Sequence, residues 1–519
     1  MTINDDVNQE PPPPDDGGQN PPPPGGGGGG RARRIARVDA ADELVGPGDE
    51  VIPVQPTFYV LDELVIDTEK APGALEYLQT RAREAGWSAD AEPNLSSIEV
   101  YGEPEEPLPA IRVKLKIPPG AWPPPPAPDA WQLLRQAFAE GRATGIGLNH
   151  VGTFDSYGVG PYTANPYTAN PYTANPYTAN PYTANPYTAN VPTGIGSYAV
   201  LGFGARQPVT YVGPKPKDAG PDGPVVAVFD TGLGTHDWID SSVESTVQPL
   251  GFPLDAGPEK DARVSEPPLQ GNIDAASGHG TFIAGLIRQG CPDARILPVR
   301  IAAGDGVIEE ADLLQALKNL RTYMEAGGRV DVLNLSFSFY PETGSAFPGA
   351  PVEAVLSHIR NKLDCAVVCS AGNGASDKPT FPASLGYTVA VGALNPPGDS
   401  IALFSNIGDW VDVYAPGVSL VSTLPPDFEG SVQAGMCDET ETDIATGKKL
   451  RRTTLDIDDF GGDNAPGGGG FAVWSGTSFA AAVISAAVAC EQSAGTAATT
   501  GGLVANALAP YEDNTSFLV

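Results

Sequence analysis

Four short apolar runs, VVAVFD (225–230), RILPVRI (295–301), VDVLNLSFSF (330–339) and CAVVCSAGN (365–373), are each long enough for one strand and alternate with helical patterns. The intervening segments SGHGTFIAGLI, EEADLLQALKNLRTYMEAGG and PVEAVLSHIRNKL repeat their apolar residues at helical spacing, and GTSFAAAVISAAVAC follows as a helix of small residues. Runs apolar throughout are buried on both faces, and alternation with helices predicts parallel strands joined by crossovers. The expected fold class is therefore α/β, three layers with a mainly parallel central sheet and helices on both faces.

Around that core the chain changes texture. Residues 1–45 open with two runs of four prolines and six consecutive glycines, which predicts a tail without a core. Residues 46–145 read as a small α/β domain: VIPVQPTFYVLDELVI and AIRVKLKI as strands, EYLQTRAREAG and DAWQLLRQAFAEG as helices. Residues 146–204 read as a linker holding six identical PYTAN copies from Pro161 to Asn190. A proline every five residues excludes a regular helix, and units of five are too short for a solenoid. Residues 205–515 form the α/β core, with an insert at about 426–470 that carries acids, then bases, then Gly467–Gly470.

Charge and cysteine content narrow the function. With 63 acidic against 30 basic residues the formal charge is −33, which argues against nucleic-acid binding. No apolar stretch is long enough to span a membrane, and the acidic start lacks the apolar core of an export signal, so a cytoplasmic location is expected. Five cysteines without CxxC spacing point to neither a zinc site nor a disulfide framework.

Chemistry-bearing residues stand at the ends of the predicted elements, where an open α/β sheet places its ligands. Asp230 ends a buried run before Thr231-Gly232; His279 lies in Gly278-His279-Gly280-Thr281; Asn373 lies in Ala371-Gly372-Asn373-Gly374; Ser478 lies in Ser475-Gly476-Thr477-Ser478 at a helix start. Singly, these are turn and cap residues. In the order Asp, His, Asn, Ser they resemble the motifs of the subtilisin-like serine peptidases (subtilases, peptidase family S8). VAVFDTG with His236, HGTFIAG, LNLS, FPAS, FSNIG, YAPG and SGTSFAAA extend the resemblance over about residues 205–515.

The resemblance implies a serine endopeptidase acting on protein or peptide substrates through an acyl-enzyme. Ser478 would be the nucleophile, His279 the general base and acid, Asp230 the orienting carboxylate, and Asn373 an oxyanion donor. The chemistry suits the residue types: a serine hydroxyl needs a neighbouring base, and an imidazole titrates near neutrality, at about 6.5 when unperturbed. Ser336-Phe337-Ser338 resembles the family's substrate-pairing edge strand, with Ser338 where glycine is usual; Phe337 fits either a substrate wall or the core. Phe479 and Val483 depart from the methionine and histidine usual in the family's nucleophile helix. No cofactor is required for this chemistry; a structural Ca²⁺, frequent in the family, has no ligand spacing here to place it. His150, His236 and His358 are assigned no chemistry. The insert is expected near Ser478, as a flap or an ordinary surface loop. The alternative function is a regulated or inactive module that uses the peptidase fold as a scaffold while the N-terminal domain and repeat tract bind a partner. Residues 46–145 are a domain of unknown role, or propeptide-like if the chain is a zymogen.

Overall fold

The computed structural model describes residues 34–39, 42–67, 71–91, 110–154, 207–209, 211, 213–244, 250, 276–304, 306–342, 351–396, 398–426, 440–442, 449–451 and 469–511. Most of the 1–45 tail, the PYTAN copies and most of the 426–470 insert lie outside the described residues; the end of the tail departs from the expectation of a segment without a core, since Ile35–Val38 pairs with Thr57–Val60 and Val38 and Leu44 are buried, and within the insert Thr440–Thr442 pairs antiparallel with Lys449–Arg451.

Beside a short antiparallel pair, Leu44–Val45 with Val51–Ile52, the described elements of the first part of the chain are β1 (Ile35–Val38), β2 (Thr57–Asp67), α1 (Ala74–Glu84), β3 (Ser88–Ala91), β4 (Ala110–Lys116), α2 (Ala130–Ala139) and β5 (Ile146–Phe154). The core continues with β6 (Val225–Asp230), α3 (His279–Gly290), β7 (Arg295–Arg300), β8 (Val307–Glu309), α4 (Glu310–Glu325), β9 (Val332–Leu335), β10 (Phe337–Ser338) and α5 (Pro351–Asn361). It ends with β11 (Ala366–Ser370), β12 (Val389–Leu394), β13 (Val413–Pro416), β14 (Leu420–Thr423), β15 (Phe471–Trp474), α6 (Thr477–Ala494) and α7 (Thr500–Leu508).

Six strands form the central sheet in the order β7-β6-β9-β11-β12-β13, each neighbour parallel. Strand side chains alternate between faces, and β6 shows the consequence. Val226 and Val228 join one buried cluster with Phe282 and Ile283 of α3 and Phe479 and Ala482 of α6. Val225, Ala227 and Phe229 join another with Leu313 and Leu317 of α4 and Val355 and Ile359 of α5. Helices thus cover both faces, as the alternation of runs predicts.

A second, antiparallel sheet runs β8-β5-β2-β4-β3, with β1 on β2 and β10 on β5. One face carries its own apolar cluster, with Leu78 and Ala82 of α1 packed beside Trp131, Leu134 and Ala137 of α2. The structure differs from the sequence reading at residue 146: the expected linker begins instead with β5, nine residues long and almost wholly buried. Two strands of the core, β8 and β10, pair with opposite edges of β5, so the segment that reads as linker joins the two parts of the chain.

Candidate active site

Asp230 is carried to the end of β6, in the middle of the parallel sheet, and is fully buried. Its Oδ1 accepts from the Thr231 N–H at 2.8 Å, and both carboxylate oxygens lie 2.8 Å from His279 Nδ1. His279 opens α3, and Gly280 explains how that helix start comes so close: a Cβ there would fall 2.2 Å from the Gly232 carbonyl oxygen and 3.2 Å from Asp230. Any larger residue would push the helix off the carboxylate.

Ser478 sits in the first turn of α6, fully buried. Its Oγ donates to the Ser336 carbonyl at 2.9 Å, while Ser336 Oγ donates back to the Ser478 carbonyl at 3.1 Å. The His279 and Phe479 rings lie 5.3 Å apart, and Trp474 meets the imidazole edge-on at 5.6 Å. Phe479, one of the departures from the family motif, is therefore part of the aromatic wall around the histidine.

Asn373 Oδ1 accepts from the backbone N–H and hydroxyl of Thr477, at 3.1 and 2.9 Å. The amide is thereby oriented with its Nδ2 turned away from Thr477. Both Asn373 Nδ2 and His279 Nε2 are buried and have no hydrogen-bond partner among the described residues. A buried donor or acceptor left unmade costs about 1–3 kcal/mol, so two such atoms near one serine mark the place where a ligand completes the structure.

Asn406, in the FSNIG segment, is a residue to which sequence reasoning assigned no role. Its Oδ1 accepts from the N–H groups of Gly374 and Ser376, at 3.0 and 3.1 Å, and its Nδ2 donates to the Ala371 carbonyl at 2.8 Å. One buried side chain thus pins both ends of the turn that presents Asn373. Gly372, at φ +106°, is required inside this turn, since a Cβ would lie 2.4 Å from Asn406 Nδ2.

Ser336, Phe337 and Ser338 divide their tasks. Ser336 holds Ser478; the Phe337 side chain is wholly buried in the core cluster, which removes it as a substrate wall; Phe337 and Ser338 pair through their backbones with Phe154 and Thr153 of β5. On its other side β5 pairs with Val307–Glu309. The cleft edge is thus filled by the chain's own strand, and the buried Phe154 ring stacks on the His279 imidazole at 4.7 Å.

Charged groups line the junction of the two sheets. Arg112 of β4 bonds Asp312 of α4 and lies within 3.7 Å of Glu63 and Glu309; Lys114 holds Glu63 at 2.7 Å. His150 of β5 places Nδ1 2.6 Å from Glu310 and Nε2 2.5 Å from Glu342. His236 lies apart from this chemistry: burial pushes its pKa down to about 4, and its Nδ1 accepts from the Trp238 N–H. Among the described residues no cluster of His, Cys, Asp or Glu is arranged to hold a metal, and most of the acidic insert lies outside them. Cys291, Cys365, Cys369 and Cys490 are unbridged.

Residues 221–507 match the model of the subtilase family, peptidase S8. The chain is 32% identical over 206 residues to the thermophilic serine proteinase of Bacillus sp. strain AK1, a match covering 40% of this chain and 46% of that one. It is 28% identical over 218 residues to the major intracellular serine protease of Bacillus subtilis strain 168, covering 38% and 60%. Among solved structures, fervidolysin from Fervidobacterium pennivorans, described as a keratinolytic enzyme related to subtilisin, aligns over 90% of this chain and 59% of its own, at 17% identity and a TM-score of 0.48.

Proposed function

The chain belongs to the subtilase family, and from that premise we propose that it is a serine endopeptidase with Ser478 as nucleophile, held latent by its own strand β5. The observation that carries the reading is the pair of buried, unpartnered atoms, His279 Nε2 and Asn373 Nδ2, beside the helix start that bears Ser478.

A rotation about the Ser478 Cα–Cβ bond releases Oγ from the Ser336 carbonyl and turns it to His279 Nε2. As Oγ attacks the peptide carbonyl carbon, its proton passes to Nε2. Asp230 accepts a hydrogen bond from Nδ1–H, which fixes the tautomer that leaves Nε2 basic, and its charge stabilises the imidazolium. The carbonyl oxygen becomes an oxyanion, received by Asn373 Nδ2 and by the Ser478 N–H at the positive end of α6. Collapse breaks the C–N bond, the amine leaves with the Nε2 proton, and an ester on Ser478 remains. Water then repeats the sequence, giving its proton to Nε2 and its oxygen to the acyl carbon, and Ser478 Oγ recovers the proton.

Latency is supported by β5, which adds to the β10 edge as a substrate backbone would and covers His279 with Phe154. The test is labelling of the full chain by a fluorophosphonate. We expect slow labelling of the intact chain, labelling at least about tenfold faster once β5 is cut or displaced, and none in Ser478→Ala. Equal labelling of Ser478→Ala would overturn the assignment.

A further inference from the structure

β5 carries a pattern that latency alone does not require. His150, Gly152 and Phe154 are alternate residues of the strand, and their contacts, unlike those of Ile146 and Leu148 before them, lie with the part of the chain that bears the site. Each meets a dedicated partner there. Phe154 lies on the His279 ring. At Gly152 a Cβ would come within 3.2 Å of the Ser338 carbonyl oxygen and 3.4 Å of the Phe339 ring. Phe339 is held in that place, since it stacks on the His150 ring at 5.4 Å and meets the Phe381 ring at a tilt at 5.0 Å. A side chain at this register must displace the Ser338 carbonyl by a few tenths of an ångström, and one longer than a methyl runs on toward the Phe339 ring.

The third contact is electrostatic. Glu310 and Glu342 are buried, and each puts one carboxylate oxygen on one nitrogen of His150. Two carboxylates around one imidazole require both ring nitrogens to donate, which is the imidazolium state. Burial alone would lower the His150 pKa, but the charges of Glu342 and Glu310 outweigh it and hold it at about 10. The neighbouring acids face elsewhere, toward their own cations: Glu63, Glu309 and Asp312 toward Arg112, and Glu63 also toward Lys114. Glu342 Oε1 is buried with no hydrogen-bond partner among the described residues, so the acidic site has accepting capacity that the imidazole leaves unused.

We propose that the cleft selects extended peptides by three alternate side chains, a cation between Glu310 and Glu342, a glycine over Phe339, and an aromatic ring on His279. Strand β5 is then the built-in example of a cation–x–Gly–x–aromatic ligand, and an acidic residue at the first position is rejected by the two carboxylates. This rests on the reading of the same cleft as a peptidase site.

The test uses the full chain in two forms. In a Ser478→Ala background, hydrogen exchange of the β5 amides reads docking without any need for activity. Gly152→Leu and His150→Gln should each speed exchange by about tenfold or more, and Phe339→Ala added to Gly152→Leu should restore most of the protection. Where Phe339→Ala does not fold, Phe339→Val serves as the smaller cut. With Ser478 intact, the Gly152→Leu chain has its cleft opened and is given peptides that contain His-Val-Gly-Thr-Phe and continue beyond it. Replacing His by Glu, Gly by Leu or Phe by Ala should each slow hydrolysis by about tenfold or more. The proposal is overturned if both substitutions in β5 leave exchange within about twofold of the parent, or if the Glu peptide is cut as fast as the His peptide. Should no peptide be cut while the exchange pattern holds, the peptidase reading falls and the three-point recognition of β5 stands.

Discussion

Two buried polar regions of the molecule treat charge in opposite ways. Around Ser478, one carboxylate holds one imidazole, and His279 Nε2 and Asn373 Nδ2 are left without partners among the described residues. At the junction of the two sheets, β2, β4 and β5 meet α4 through a cluster in which Glu63, Glu309 and Asp312 are answered by Arg112 and Lys114, and Glu310 and Glu342 by His150. The first region stores unmet hydrogen-bonding capacity for a ligand. The second draws its charges from both parts of the chain: Lys114 and Glu63 pair within one part, but Asp312, Glu310 and Glu342 meet Arg112 and His150 only while the parts are docked. Unpartnered atoms on both a histidine and an amide mark the first region, and charges paired across a junction mark the second as a clasp, although Glu342 Oε1 there also has no partner among the described residues.

The sharpest way to break the comparison is Asp230→Asn. It keeps the shape of the site but favours the wrong His279 tautomer, and kcat should fall by about 10⁴-fold with little change in Tm. An activity loss below about tenfold would show that Asp230 does not orient the imidazole. Arg112→Met strikes the clasp instead. It leaves Glu63, Glu309 and Asp312 facing one another without their guanidinium, and removing one member of a buried charged set costs about 3–5 kcal/mol. Denaturant unfolding should show that loss, while fluorophosphonate labelling becomes faster as β5 lifts. Asn373→Ala returns to the site: losing one oxyanion donor should lower kcat about 10²–10³-fold, roughly 2.7–4 kcal/mol, with KM nearly unchanged.

Much of this division could be read from residues alone, and what could not has a physical cause. Asp230, His279, Asn373 and Ser478 stand in motifs whose glycines have visible work, as at Gly280, where backbone passes within 2.2 Å of a would-be Cβ. The parallel sheet was legible because its strands are apolar on both faces. β5 was not: IGLNHVGTF is rich in Gly, Asn and His, residues that strands disfavour, and its pairing partners Val307–Glu309 and Phe337–Ser338 lie more than 150 residues away. The same distance hides the clasp, since nothing local links His150 to Glu310 or Glu342. Asn406 escaped for a related reason, because its bonds to Ala371, Gly374 and Ser376 cross 30 or more residues.

The clasp also gives docking a pH dependence whose sign follows from His150. Its pKa is about 10 in the docked state, held up by Glu342 and Glu310 against the effect of burial, and about 6.5 for an ordinary histidine on a free strand. A raised pKa means that docking takes up a proton, so its contribution is complete below about pH 6.5 and is lost as pH rises through about 10. Glu310 faces the ring from α4 and Glu342 from the segment after β10, while Phe339 covers one face; Tyr59, opposite His150 in β2, keeps its phenol on Asp129. Between the two pKa values the docking equilibrium should weaken by up to about tenfold per pH unit. Limited proteolysis at β5 across pH 6 to 9 reads the slope, and His150→Gln should flatten it.

The smallest effect belongs to Asn149, and it separates clasp from scaffold most finely. Helix α4 begins at Glu310 with no cap from its own Glu309 side chain. The cap arrives from the docked strand, where Asn149 Oδ1 accepts from the Ala311 N–H at 3.0 Å and Nδ2 donates to Glu63 at 2.8 Å. Losing an N-cap acceptor costs about 0.5–2 kcal/mol. Asn149→Ala should therefore weaken docking by roughly two- to 25-fold, taking 1.4 kcal/mol per tenfold, and speed labelling of Ser478 to match. In a chain whose β5 is already displaced by Gly152→Leu, the same substitution should change neither labelling nor hydrolysis, because the cap it removes exists only while the strand is seated. An equal effect in both backgrounds would mean that Asn149 supports the fold of its own sheet and takes no part in holding the cleft closed.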